Sequence, residues 1–335
     1  MTIAKASRLP QDWIDRLKMP VMAAPMFLVS STAMVLEGSR NGIIGCIPTV
    51  NARTPEILDG WLAELTSGLE QARSEGVEVA PWALGLTTHR TNARLPDDLE
   101  LCRKYRPPLV ITALGSPKPA IEAVHSYGGL VFADVSTPEY ARKAAEAGAD
   151  GLVLVCSGAG GHTGQIAAAA FVQAVREFFD GIIVIGGAIS TGSAVRSAQI
   201  LGADLVYVGT HLIACEESNA DPRYKQMVVD ATSKDLVMTN VITGAWSHKL
   251  RPSLEAVGLD PDNLGTATGF DLNYAEKQPK AWKDIWSAGQ GVGAVKKIEP
   301  MAAVVAKLHR EYQQAIREEQ NDPWFRKYSG EAACA

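Results

Sequence analysis

Short apolar runs alternate along this chain with longer amphipathic stretches. Eight runs stand out, at 21–24, 42–46, 82–86, 109–112, 130–133, 151–155, 182–185 and 205–208. Most are nearly all apolar, as a strand reads when both its faces are buried in a parallel sheet. Helical patterns lie between them. Thr54-Pro55-Glu56 supplies an N-cap, a first-turn proline and an acid. Pro96-Asp97-Asp98 opens a second helix, and Thr137-Pro138-Glu139 a third that stops at Ala147-Gly148. A further helix runs from near Thr191 to Leu201-Gly202. "EAGADGLVLV" (146–155) echoes "ILGADLVYVG" (200–209): a helix stops at Gly, Ala-Asp follows, and a buried strand begins.

Eight strand signals with helices between most of them predict an α/β fold, a (β/α)8 TIM barrel. A doubly wound open sheet gives a similar alternation, but the count of eight and the absence of an early GxGxxG favour the barrel. The expected organisation is a barrel over 15–215, a smaller cap over 216–299 beside the mouth, a closing helix over 300–320 and an irregular tail over 321–335. The cap region is less periodic and holds Trp246, Trp282, Trp286 and the loop-like "GLDPDNLGTATGFD" (258–271).

Composition narrows the function classes. The 335 residues are 47% apolar and 21% charged, with 32 Lys+Arg against 37 Asp+Glu, a formal net charge of -5. High apolar content with little net charge excludes intrinsic disorder. The acidic balance, without a basic run, argues against a dedicated nucleic-acid binder. No apolar stretch reaches the ~18 residues of a membrane helix. The opening residues carry Lys5, Arg8, Asp12, Asp15 and Arg16 where a secretory signal would be apolar. Cys46, Cys102, Cys156, Cys215 and Cys334 form an odd set without CxxC spacing, which fits a reducing cytoplasm.

In a barrel the residues after each strand surround the active site. The seventh run is followed by Gly186-Gly187-Ala188 and the eighth by Gly209-Thr210-His211. Small residues let backbone N–H groups approach a phosphate, and the helix opening at Thr191 adds a favourable dipole. Four glycines in 158–164 surround His162, whose ring has a pKa suited to proton transfer. Ala24-Pro25-Met26, after the first run, offers a rigid backbone for a flat ring. Taken singly, each feature also has a packing explanation: tight turns, a loop histidine bonded to backbone, a plain strand exit. His89, Asp134 and His211 are weaker ligand candidates; Trp82, Trp246 and Trp286 could wall a substrate, with core packing the default for each; Cys156 reads as a small buried residue. No HExxH, GxSxG, GxxxxGK[ST] or EF-hand pattern occurs, so no metal site is expected.

In combination these segments are more specific. "PVMAAPM" (20–26), "LVITALGSP" (109–117), "GADGLVLVCSGAGGHTG" (148–164), "IVIGGAISTG" (183–192), "GADLVYVGTHLIACEE" (202–217) and "WSAGQGVG" (286–293) resemble the nitronate monooxygenase family, formerly 2-nitropropane dioxygenases. That family in turn resembles flavin-dependent enoyl-acyl-carrier-protein reductases and certain NAD(P)H:quinone reductases. The resemblance implies a TIM barrel with one non-covalent FMN. Ala24, Pro25 and Met26 would contact the isoalloxazine. Gly187, Ala188, Gly209 and Thr210 would hold the phosphate. Gly161 and Gln165 would lie near the flavin or ribityl chain, and Ser287 and Gln290 would approach the flavin edge from the cap. His162 matches the family's general base or substrate-binding group. Where many relatives have a flavin-contacting Asn, this chain has Gly85, with Thr87 or a backbone group expected to compensate.

The reaction so implied is oxidation of alkyl nitronates or nitroalkanes by O2 to a carbonyl compound and nitrite. An NAD(P)H-dependent flavin reductase of a quinone or enoyl thioester is the first alternative. A flavin-free isomerase or aldolase gripping a phosphorylated metabolite is the second, and a non-catalytic flavin carrier the third. The partners expected are a small-molecule substrate and O2 or NAD(P)H, without nucleic acid or membrane; a homodimer is left open.

Overall fold

In the computed structural model, the residues described are 8–242, 244–267 and 283–329. Trp282, Cys334, residues 1–7, and the part of the 258–271 loop beyond 267 therefore lie outside the described residues. The barrel strands are β1 (Val21–Ala23), β2 (Gly45–Pro48), β3 (Trp82–Thr87), β4 (Leu109–Ala113), β5 (Leu130–Val135), β6 (Gly151–Val155), β8 (Ile182–Gly186) and β9 (Leu205–Val208). All neighbouring pairs are parallel, in the order β1-β9-β8-β6-β5-β4-β3-β2. A parallel bridge between Met22 and Ile44 joins the two ends, so the ring closes as a TIM barrel. The second strand starts at Gly45, later than its apolar run. Gly42 has φ 84, a left-handed turn that ends the preceding helix and that no strand residue can adopt.

Local chemistry explains the helices. Thr54, Thr137 and Thr191 each accept a backbone N–H three residues on, at 3.3, 3.3 and 3.2 Å. Those bonds satisfy donors that a helix start leaves open. Leu58, Leu62, Leu65 and Leu69 line the buried face of Pro55–Ser74 against the outside of the barrel. Met22, Cys46, Ala83, Ile111, Phe132, Val153, Val184 and Tyr207 share a cluster that fills the barrel interior.

The repeated Ala-Asp has one physical role in both places. Asp150 Oδ2 accepts the Val131 N–H at 2.8 Å, and Asp204 Oδ2 accepts the Ile183 N–H at 2.8 Å. Each carboxylate clamps the start of the preceding strand, at the barrel end away from the mouth. Asp204 also pairs with Arg8 at 3.3 Å and Arg176 at 2.9 Å.

Beyond the barrel, β10 (Leu236–Thr239) and β11 (Ser247–Leu250) form an antiparallel pair. The outer edge of β11 pairs with β7 (Gly161–His162), which belongs to the loop after β6. The helix Met301–Asn321 packs along the helix Gly192–Ile200. The expected irregular tail is corrected in part, because Pro323–Ser329 is helical. Asp322 Oδ1 accepts the Trp324 and Phe325 N–H groups at 2.8 and 3.0 Å, a cap followed by a first-turn proline.

Asp204→Ala should lower the unfolding free energy by about 2 kcal/mol in a urea titration, because it strands a backbone donor and takes the carboxylate partner from two guanidinium groups. A loss below about 0.5 kcal/mol would show that the clamp contributes nothing.

Candidate active site

The mouth has a floor of small side chains. Side chains alternate along a strand, and Met22, Ala83, Phe132 and Val184 point inward. Two residues on, at the next level, stand Ala24, Gly85, Asp134 and Gly186, one from every second strand. Three of the four have little or no side chain; Asp134 is the exception. A Cβ on Gly85 would lie 3.3 Å from both Pro25 Cβ and Pro48 Cα. Pro25 and Pro48 thus crowd this position, so an Asn here would require them to move.

The loop after β1 is held rigid by a side chain that the sequence reading did not single out. Asn51 Oδ1 accepts the Leu28 N–H at 2.9 Å, while its Nδ2 donates to the Met26 carbonyl at 3.2 Å and the Ser30 carbonyl at 2.9 Å. Ser30 Oγ accepts the Met26 N–H at 3.0 Å. Ala24, Pro25 and Met26 are consequently fixed, half-buried, at the mouth.

After β8 the backbone turns through Gly187 (φ 144) and Ala188 (φ 57). Ala188 is exposed yet left-handed, a conformation costing an L-residue roughly 1 kcal/mol. The helix that follows already has an anion at its start, because Glu311 Oε2 accepts the Gly192 N–H at 2.9 Å. The expected dipole contribution at Thr191 is thereby largely taken up within the protein. Any anion held here falls to the loop backbone. After β9, Thr210 Oγ1 accepts the Gly289 N–H at 2.8 Å, which ties "WSAGQGVG" to the loop after Gly209.

The glycines around His162 serve close backbone approach. A Cβ on Gly160 would lie 2.6 Å from the Gly289 nitrogen. Gln290 N–H donates to the Gly158 carbonyl at 2.9 Å on the same surface. His162 sits on β7 opposite Ser247, and Lys249 lies two residues along β11 on the same face. Burial, and secondarily the Lys249 ammonium, pushes the imidazole from its ordinary 6.5 down to about 4. The ring is therefore neutral at physiological pH. Lys249 is itself fully buried, donates to Ser287 Oγ at 3.1 Å, and is pushed down to about 8 by burial.

A model of the nitronate monooxygenase family matches residues 69–311. The chain belongs to the nitronate monooxygenase family. That is a family of oxidoreductases. It is 27% identical to a nitronate monooxygenase of Neurospora crassa, over 91% of this chain and 92% of that one. It is 31% identical to a putative monooxygenase of Mycobacterium tuberculosis, over 61% of this chain and 59% of that relative's length. The solved structure of FabK from Thermotoga maritima superposes with a TM-score of 0.77 at 20% identity, over 95% of this chain and 99% of that one, a likeness of fold.

Around the mouth of this nitronate monooxygenase family barrel, Ala24–Met26, Gly187, Ala188, Gly209 and Thr210 follow adjacent strands. Gly161 and His162 stand beside them on β7, Gln165 is exposed just beyond, and Gln290 is exposed above the Gly158 loop. Ser287 is more committed, since its carbonyl also accepts the Tyr224 O–H at 2.5 Å. Other candidates are structural. His211 is buried with Nδ1 3.2 Å from the Ser190 carbonyl, and Cys156 is buried with its thiol pushed up to about 12. Trp82 is core, and Trp286 stacks on Tyr224 at 5.1 Å between ring centroids. His89 bonds Thr91 Oγ1 at 2.8 Å beside a cavity of about 790 Å³ that lies to one side of the mouth, near Thr88, Leu95 and Ser116. Among the described residues no three His, Cys, Asp or Glu are grouped to hold a metal, and no helix is long and apolar enough to cross a membrane.

Asn51→Ala should speed amide exchange at Leu28 at least about tenfold, because one substitution removes three bonds that hold the β1 loop. Unchanged exchange there would mean the loop is rigid for another reason.

Proposed function

We propose that this chain uses FMN to oxidise alkyl nitronates with dioxygen to a carbonyl compound and nitrite. The observation that carries this reading is His162 fixed on β7 by its pairing with β11 in a member of this family, with burial pushing its ring down to about 4. The mouth fits a flavin in two respects. Ala24 and Gly186 put no long side chain into the mouth, and the exposed left-handed turn at Ala188 presents backbone rather than side chains. Ala24, Pro25 and Met26 would support the ring. Gly187 and Gly209 would offer backbone N–H groups to the phosphate beside Ala188, whose own N–H donates to the Gly158 carbonyl at 3.3 Å, and Thr210 keeps a hydroxyl proton to donate. Gly161 and Gln165 would flank the ribityl side, with Ser287 and Gln290 approaching from the cap. When bound, the flavin supplies the electron transfer and oxygen chemistry that side chains lack.

His162 then decides which form of substrate is used. A ring held near 4 is a weak base toward carbon, since an effective base has a pKa near the working pH. The same neutral ring keeps an N–H to donate to a nitronate oxygen. A pre-formed nitronate is therefore the better substrate and a neutral nitroalkane the poorer one. The described cysteines Cys46, Cys102, Cys156 and Cys215 are buried thiols, which supports work in a reducing compartment such as the cytoplasm.

Anaerobic spectroscopy tests the reaction: ethylnitronate should bleach the flavin, and bleaching by NADH or NADPH alone would replace this reading with the reductase. His162→Ala should cut nitroalkane turnover by about 100-fold or more, and nitronate turnover by only about tenfold. Equal turnover of nitroalkane by the variant and the parent would remove His162 from the reaction. For the parent protein, the nitronate kcat/KM profile should show no titration at 6.5, because the ring stays neutral down to about 4.

A further inference from the structure

At the level where the floor meets the mouth, Asp134 is the one polar side chain among Ala24, Gly85 and Gly186. It stands on β5, across the ring of eight strands from β1. If the loop after β1 supports a flat ring and the loops after β8 and β9 hold its phosphate, β5 is the strand across the floor from that support. A flavin ring is hydrocarbon along one edge and carries carbonyl and N–H groups along the other. Burying that polar edge without a partner costs about 1–3 kcal/mol per group.

We propose that Asp134 recognises the polar edge of the flavin ring by hydrogen bonding, an assignment that rests on the FMN reading above. Its carboxyl is half-buried from the mouth side and is oriented from below by Tyr207, whose O–H donates to Oδ1 at 3.3 Å. That leaves Oδ2 as the atom available to the ring. Burial pushes the carboxyl up to about 7, opposed only by the Tyr207 bond. The titratable groups facing it are Tyr207 on β9 and Cys46 on β2, and burial pushes both well above their ordinary values, so both stay neutral. The protonated acid can both donate to a ring carbonyl and accept from the ring N–H, whereas the carboxylate can only accept. A ring lying over it excludes further water and favours the protonated form. Flavin affinity should therefore be full below about 7 and fall as the pH rises through it.

The test is FMN titration of the flavin-stripped full-length chain at pH 6.0 and 8.5, followed by flavin fluorescence. Asp134→Asn keeps the shape and a donor without a charge, and it shares the phosphate's own titration. It serves as the reference for pH. The parent should lose about tenfold more affinity than Asp134→Asn between the two pH values. Asp134→Ala should bind about tenfold more weakly than the parent at pH 6.0. The assignment is overturned if the parent and Asp134→Asn change equally with pH. It is overturned equally if Asp134→Ala folds and matches the parent at pH 6.0. Should Asp134→Ala fail to fold, the comparison with Asp134→Asn still decides. FMN binding by none of the three proteins would sink the cofactor reading itself, and the assignment with it.

Discussion

The pairing of β1 with β9 is the contact on which the site depends. Val21–Ala23 lies in register with Val206–Val208, and the Met22–Ile44 bridge completes the circle. A closed ring leaves no strand edge, so every strand can find ladder partners on both sides. The closure also has a chemical consequence. It sets the loop after the first strand beside the loops after the last two, although about 160 to 185 residues separate them in the chain. The residues proposed to support a flat ring and to hold its phosphate share one mouth only because those strands meet.

A second layer of constraint comes from the cap. The segment 286–293 lies backbone against backbone on the loop that carries His162, and Gly160 and Gly289 permit that approach. β11 then pairs with β7 and fixes the strand that bears the imidazole. The histidine is thus held by main-chain bonds to an element far away in sequence as well as by bonds within its own loop, such as Thr163 Oγ1 to the Cys156 carbonyl at 3.3 Å. A glycine-rich loop that would be free alone becomes part of a three-stranded sheet.

Burial is the common electrostatic cause across the mouth. It lowers His162 and Lys249 and raises Asp134, in each case disfavouring the charged form. The result is a region where groups that would ordinarily carry charge near neutral pH are pushed toward their neutral states. Such a surrounding is compatible with the proposed ring and the proposed anionic substrate.

Much of this was legible along the chain. Buried strands in a parallel sheet must be apolar on both faces, so the runs marked the barrel strands, and Thr54, Thr137 and Thr191 marked helix starts because capping is local chemistry. The small residues after the first, seventh and eighth strands were equally visible. Two local signals misled or were passed over: Gly42 belongs to a turn, not to the second strand, and Asp322-Pro323 starts a helix in a segment read as irregular. The rest was decided by distance in space. No pattern around Lys249 announces that it is buried beside His162, and nothing near Asn51 says that its amide holds the loop after β1. Asp134 could be named from its place at a strand end, but its solitude on the floor depends on which residues the other strands bring to the same level. Sequence periodicity fixes the elements because it records which face each one buries; only the closed ring fixes which side chains share the mouth.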